Sequence, residues 1–254
     1  MAVRADPMQS AEETGFVATE SRLFTRIFYV FLGLAVLSAA INFGGRYLGP
    51  LIAMGGHTDD TTIREIVIGN DVLRLPSNMI RFPAQRRDGI AERVDLYLKW
   101  PDMAGYSTDT RNDFNFATAK RELLFLSIES RTMSRDMSGR YQPIYSTLIE
   151  QPGKAGPAGL TVHALRADSG YTDEELVVAS GENGMPAFVA RCLNESAAKG
   201  TAAPCERDIH FGKDLQLLYR FPRDLLSNWR ALDDAVRSFA AGHLADAPTA
   251  SGKS

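Results

Sequence analysis

From Ile27 to Gly45 the chain carries no charged residue, in the run I-F-Y-V-F-L-G-L-A-V-L-S-A-A-I-N-F-G-G, and this stretch limits what the rest can be. As a helix rising about 1.5 Å per residue it covers roughly 28 Å. A hydrocarbon core of about 30 Å is nearly the same length. Arg22 and Arg26 stand at one end and Arg46 at the other, with Phe28, Tyr29 and Tyr47 at the levels where aromatic rings meet headgroups. Apolar all round, the segment predicts a transmembrane helix in contact with the lipid bilayer rather than a core helix.

A cleaved secretory signal is the alternative. Ser38-Ala39-Ala40 places small residues where a peptidase would cut, after Ala40. The preceding stretch, with Asp6, Glu12, Glu13 and Glu20, is long and acidic for the head of such a signal. An uncleaved signal anchor is therefore the favoured expectation. Arg4, Arg22 and Arg26 precede the span, against Arg46 and Arg64 in the comparable stretch after it, which biases the N-terminus toward the cytoplasm.

Two cysteines agree with export. Cys192 and Cys205 bracket a polar, small-residue loop between two strand-like runs. A disulfide closing a loop of this size contributes about 3 kcal/mol, and such bonds persist outside the reducing cytosol. The expected placement is a bacterial inner (plasma) membrane, crossed once, with the C-terminal domain in the periplasm.

Beyond the span, Gly49-Pro50 and Gly55–Thr62 read as a juxtamembrane linker. Period-two runs follow. Val94, Leu96, Leu98 and Trp100 alternate with Arg93, Asp95, Tyr97 and Lys99, the pattern of a half-buried strand. Ile63–Ile68 and Val72–Leu75 form an opening hairpin across Gly69-Asn70-Asp71. Leu123–Glu129, Ile144–Glu150 and Leu160–Arg166 are further strand candidates. Glu175–Ser180 with Pro186–Leu193, and Ile209–Phe211 with Leu215–Phe221, read as two more hairpins. Such short connections favour antiparallel pairing.

After Pro222 the period changes. Leu225, Trp229, Leu232, Val236 and Phe239 mark one face of a helix, with Arg230, Asp233, Asp234 and Arg237 mostly opposite. The fold class expected is α+β, mainly β. One N-terminal transmembrane helix precedes an antiparallel sheet or two-sheet domain with a C-terminal amphipathic helix packed on it. The expected divisions are a cytoplasmic tail at 1–26, the span at 27–45, a linker at 46–62, the domain at 63–242 with its helix at 223–241, and a disordered tail at 243–254.

Functional signals are sparse. The net charge of −3 argues against a nucleic-acid partner, which requires a concentrated basic face. No P-loop, G-x-S-x-G, H-E-x-x-H or G-x-G-x-x-G is present, and no cofactor or metal is implied. His57, His163, His210 and His243 are scattered, with His163 and His210 read as sheet residues. Arg81, Arg86, Arg87 and Arg93 form a local basic cluster, read as a solvated loop or a contact for anionic headgroups.

The most unusual segment runs from Trp100 to Lys120, a long loop without a clear period between two strands. Trp100, Tyr106, Phe114 and Phe116, interleaved with polar groups, are candidate contacts for a protein partner. The competing expectation folds the loop onto its own domain as a satellite core. Together these features point to a membrane-anchored binding or accessory module of the cell envelope. An envelope hydrolase with a dispersed active site is one alternative, and a ligand-sensing ectodomain signalling through a partner helix is another.

Overall fold

The computed structural model describes residues 21–54, 56–115, 122–181 and 185–245, without the side chains of Ser21, Leu23 and 44–54. Phe116, Lys120, the hairpin turn at 182–184 and the tail from 246 onward lie outside the described residues. The chain divides into two units, 1–53 and 54–254.

The first unit contains helix α1 (Ser21–Met54). Its stretch Phe24–Phe43 is long and apolar enough to cross a membrane. Phe24, Phe28, Phe31, Leu34, Val36 and Ile41 all expose more than half of their surface. Leaving that much apolar area in water is unfavourable, at about 25 cal/mol per Å². The helix continues through Pro50, although Gly49-Pro50 was expected to open the linker. Proline's fixed φ is helical, so the helix can pass it at the loss of a backbone hydrogen bond.

The second unit is mixed helix and sheet, mostly β. A small sheet is formed by β1 (Ile63–Ile68), β2 (Asp71–Pro76) and β3 (Gly89–Ile90), in the order β2-β1-β3. The expected β1–β2 hairpin is present, with Gly69 supplying the positive φ at its turn. The large sheet contains β4 (Arg93–Lys99), β5 (Leu123–Ser130), β6 (Lys154–Ala155), β7 (Leu160–Ala164), β8 (Glu174–Ala179), β9 (Phe188–Leu193), β10 (Cys205–Phe211) and β11 (Leu215–Phe221). Its order is β4-β5-β11-β10-β9-β8-β7-β6, antiparallel throughout. Both expected hairpins, β8–β9 and β10–β11, pair in register. Short helical turns, α2 (Arg111–Phe114), α3 (Ser146–Leu148) and α4 (Glu195–Ala198), sit in connections.

The C-terminal helix packs on the large sheet. A 3₁₀ segment (Arg223–Asn228) follows Pro222 and leads into α5 (Trp229–Gly242). Leu225, Trp229, Leu232, Val236 and Phe239 are all buried, as their spacing predicted. They join Ile66, Leu73, Leu96, Leu126, Leu217 and Phe221 in one core between the helix, the small sheet and one face of the large sheet. Asp71 ties the layers by accepting from the amides of Lys213 and Asp214 in the β10–β11 turn, each at 3.1 Å. Gly212 is required there, since its φ is +60° and a Cβ would meet the Asp71 carboxylate at 2.9 Å.

Three expectations are corrected. Ile144–Glu150 is not a strand: Tyr141–Tyr145 and α3 are helical, and only Ile149 makes a bridge, to Leu165. Tyr141 and Tyr145 are four apart on the helical stretch, and with Met137 before it and Ile149 at its end they gather against Leu176, Val178 and Val189. Asp233 is buried rather than on the outer face of α5, because Arg207, 0% exposed, requires a counter-ion inside. His243–Ala245 are ordered against β2, with the Arg74 amide donating to His243 O and the Ala245 amide to Val72 O, each at 2.8 Å.

Strands β9 and β10 pair only at Cys192–Cys205 and Arg191–Glu206. The two cysteines form a disulfide at the first of these pairs. Just past the ladder's end, Arg207 Nη1 donates to Val189 O at 2.9 Å and to Ser138 Oγ at 2.9 Å. Its Nε donates to Asp233 Oδ1 at 2.9 Å, and the Tyr219 hydroxyl donates to the same carboxylate at 2.7 Å. Burial alone would raise the Asp233 pKa, but Arg207, Arg237 and these hydrogen bonds hold it below its ordinary value.

Replacing Cys192 and Cys205 together by serine should cost about 3 kcal/mol, the loop-closure value for a bridge of this span. At about 2–4 °C per kcal/mol for a domain of this size, the thermal midpoint followed by circular dichroism should fall by roughly 6–12 °C. A midpoint within a degree or so of the parent's would mean that the disulfide does not hold the β9–β10 junction.

Candidate functional site

The face of the large sheet turned away from α5 is covered unevenly. At one end, Tyr106 and Phe114 from the 100–115 connection lie over Tyr97 and Leu123. At the other, Met137, Tyr145 and Ile149 lie over β8 and β9. Between them, the outward residues of β4, β5, β11 and β10 are less covered. Register places Asp95 beside Ser127 and Ser127 beside Leu218. The next row runs Tyr97, Phe125, Arg220, Glu206 and Arg191.

A cleft of about 440 Å³ opens over this surface, floored by Phe125, Ser127, Leu218 and Arg220 and walled by Arg81, Arg93 and the 200–203 connection. A second cavity of about 420 Å³ adjoins it, sharing Arg81 and Phe125. Its other walls are mainly apolar or aromatic: His57, Phe82, Pro83, Tyr97, Phe114 and Leu123.

Charge in the cleft is largely paired. Asp95 accepts from Ser127 Oγ, from Arg93 and, at 3.0 Å, from Gln85 Nε2. Burial works against its carboxylate, but these hydrogen bonds outweigh it and keep the pKa below the usual range. Glu206 pairs with Arg191 and lies 3.8 Å from Arg220. Arg191 also meets Glu174 at 3.3 Å, where burial raises the Glu174 pKa. The guanidinium of Arg81 lies over the rings of Phe82 and Phe125, at 5.0 and 5.1 Å.

His57 belongs to the folded domain, although it was expected in a free linker. Its ring stacks on Tyr106 at 4.8 Å, and Nδ1 meets the Tyr97 hydroxyl at 2.8 Å. Burial pushes the Tyr97 phenol up to about 12 and lowers His57. Near neutral pH this leaves a protonated phenol hydrogen-bonded to a neutral imidazole. Tyr97 is thereby buried on the face expected to be polar, because the 100–115 connection covers it.

The remaining candidates fall as follows. Tyr106 and Phe114 are 1% and 3% exposed, and Phe114 also lines the second cavity. Trp100 is half-buried against the main core. This part of the loop is folded onto the domain as a satellite core. In the basic cluster, Arg86 serves the fold, donating to the carbonyls of Ile80 and Gly56 at 3.0 and 2.7 Å. His163 and His243 meet backbone carbonyls, at Glu150 and Phe239. His210 borders a separate small cavity with Asp136 and Arg135. Among the described residues no group of three or more His, Cys, Asp or Glu is placed to hold a metal.

Phe125, Glu206, Leu218 and Arg220 were not singled out from the sequence. Phe125 had a readable signal, since L-L-F-L-S-I-E puts a phenylalanine at an outward position beside Ser127 and Glu129. The meeting of β5, β11 and β10 had none, because it depends on strand order.

The fold has a solved counterpart. An immunity protein of the Stenotrophomonas maltophilia type IV secretion system is similar over 76% of this chain and 98% of its own, with a TM-score of 0.52 and 15% sequence identity. An iron-regulated outer membrane lipoprotein of Neisseria meningitidis matches over 72% of this chain and 95% of its own, at a TM-score of 0.40 and 11% identity. At these identities the first match speaks for the fold alone. No protein-family model and no curated protein matches the sequence.

The direction of the His57 shift can be measured. A folded pKa below 6.5 means the unfolded chain binds the proton first. The stability contribution is therefore full above 6.5 and lost as pH falls through the folded value. Titration of the His57 ring by NMR should give a midpoint below 6.5. His57→Gln should lose less stability than the parent between about pH 7 and pH 5. A midpoint at or above 6.5 would contradict the buried Tyr97–His57 arrangement.

Proposed function

We propose that this chain is a membrane-tethered accessory protein of the bacterial cell envelope whose β domain binds a protein partner. The observation that carries the reading is the cleft over β5, β11 and β10, left open between two covered ends of the same sheet face. An aromatic floor with surrounding arginines is the composition of binding surfaces, where rings supply area at low entropic cost and guanidinium groups supply directed hydrogen bonds. The Ser127 hydroxyl is engaged by Asp95 and Arg93, which suits a fixed floor better than a nucleophile.

In this reading Phe114 forms part of the wall of the second cavity with Tyr106 packed against it, Trp100 braces the same connection against the main core, and Phe116 follows on that connection. Residues 1–26 lie in the cytoplasm, 27–45 cross the inner membrane, and the domain stands in the periplasm. The apolar helix, the disulfide and the arginine bias support that placement. A specific form of the reading is immunity in a secretion system, favoured by the fold shared with such a protein along nearly its whole length.

Orientation and partner are tested together. Alkaline phosphatase fused after residue 245 should be active in intact cells, and the same fusion after residue 20 inactive. Crosslinking followed by capture of the full-length protein from gently solubilised membranes should then yield one stoichiometric protein. The reverse fusion pattern would refute the orientation, and reproducible absence of a partner would refute the binding role.

A further inference from the structure

Two features of the cleft restrict what can occupy it. The first is charge. Both acids lining it are already engaged, Asp95 by Arg93, Ser127 and Gln85, and Glu206 by Arg191 and Arg220. Arg81 forms no ion pair among the described residues, and its guanidinium is stacked on Phe125 and Phe82. Its backbone is fixed, since the Arg81 amide donates to Asp95 O at 2.8 Å and Ile80 bridges Leu96. Arg220 stands directly opposite Phe125 in the β5–β11 register, with 53% of its side chain exposed. An aromatic floor therefore has a guanidinium on either side, and the surplus charge between them is positive. A carboxylate placed there gains charge-assisted hydrogen bonds from Arg81, which has no ion pair among the described residues, and from Arg220, whose Nε lies 3.8 Å from Glu206.

The second feature is shape. Leu123, Phe125 and Ser127 succeed one another on the outward face of β5, with Leu123 at the aromatic cavity, Ser127 at the charged cleft and Phe125 in both. Alternate residues of any extended chain are spaced by about 6.5–7 Å, the same period as the floor beneath. A segment running along β5 thus presents consecutive same-side residues to the two cavities in turn.

We propose that the cleft takes an extended segment of a protein partner bearing a carboxylate side chain two residues from an aromatic or bulky apolar one. The carboxylate lies between Arg81 and Arg220, and the apolar side chain enters the cavity lined by Phe82, Tyr97 and Phe114. This rests on the protein-binding reading above and gives the partner's chemistry.

The test is selection from a randomised peptide display library on the full-length protein in nanodiscs of neutral lipid. The parent should enrich peptides with Asp or Glu two positions from Phe, Tyr, Trp or Leu. A fluorescein-labelled peptide from that pool should bind roughly tenfold or more weakly to Arg81→Glu and to Arg220→Glu, and more weakly at high salt. Both positions are exposed at the cleft, and unchanged near-ultraviolet circular dichroism checks that the variants fold. Arg81→Lys should retain part of the affinity. Enrichment without the acidic residue, enrichment unaffected by either charge reversal, or no enrichment at all would each overturn the proposal. If the Arg81→Glu, Arg220→Glu double variant still captures its partner from membranes, this proposal falls while the binding function stands. If the parent captures none, the binding function itself falls.

Discussion

The large sheet depends on the junction between β9 and β10. Strands β4, β5, β11 and β10 form one half of it and β9, β8, β7 and β6 the other. The two strands share two ladder pairs, extended by the Leu193 amide donating to Pro204 O at 2.9 Å, and so short a ladder at the centre of a sheet leaves peptide groups to be satisfied otherwise. Side chains complete the join. Cys192–Cys205 bridges it covalently, Arg191 pairs with Glu206 across it, and Arg207 donates to the orphaned carbonyl of Val189. Burying a guanidinium is costly unless every donor finds a partner, and Asp233 on α5 with Ser138 supplies the rest. The same group therefore ties both halves, the C-terminal helix and the 131–140 connection.

That junction also shapes the cleft. Because Arg207 and Asp208 draw the 131–140 connection down, through Ser138 and Arg140, its apolar side chains cover β8 and β9 and stop short of β11. Among the described residues the aromatic cluster around Tyr97 covers the opposite end and reaches Phe125. What remains between is the part of the face where charges alternate across strands, from Arg220 through Glu206 to Arg191. A row of paired charges keeps a sheet face soluble without a cover. Adding Phe125 and the stacked Arg81 to it converts a solvated face into one with a preferred occupant.

Elements with short-range causes were legible in the sequence. The β1–β2, β8–β9 and β10–β11 hairpins follow from turn residues between apolar runs, and the burial of Leu225 through Phe239 follows from helical spacing. The failures have physical sources. Ile144–Glu150 looked like a strand because a short apolar run carries no period of its own, and the register with Met137 and Tyr141 was missed. Asp233 looked solvent-facing because its partner is 26 residues upstream. Arg207 had a signal, lying at an inward position between Cys205 and Ile209, but an arginine there reads as an exception until its carboxylate is found. The cleft was least legible, since its floor comes from strands whose adjacency no local pattern records.

Placement and stability are connected through the same junction. In the proposed topology the apolar helix delivers the domain to an oxidising compartment, where a disulfide at Cys192–Cys205 persists. In the reducing cytosol the two halves of the sheet would keep their short backbone ladder, the Arg191–Glu206 and Arg207–Asp233 ion pairs and their shared core, but would lose the covalent bridge. A bond that closes a loop stabilises by restricting the unfolded chain, so the difference falls on domains that have not crossed the membrane. The tether adds a further term. In that proposed topology the cleft would be confined near one surface, and its effective concentration toward a partner there would be set by the tether rather than by expression level. Modest affinity between Arg81, Arg220 and a single carboxylate would then be sufficient for occupancy of the cleft over β5 and β11.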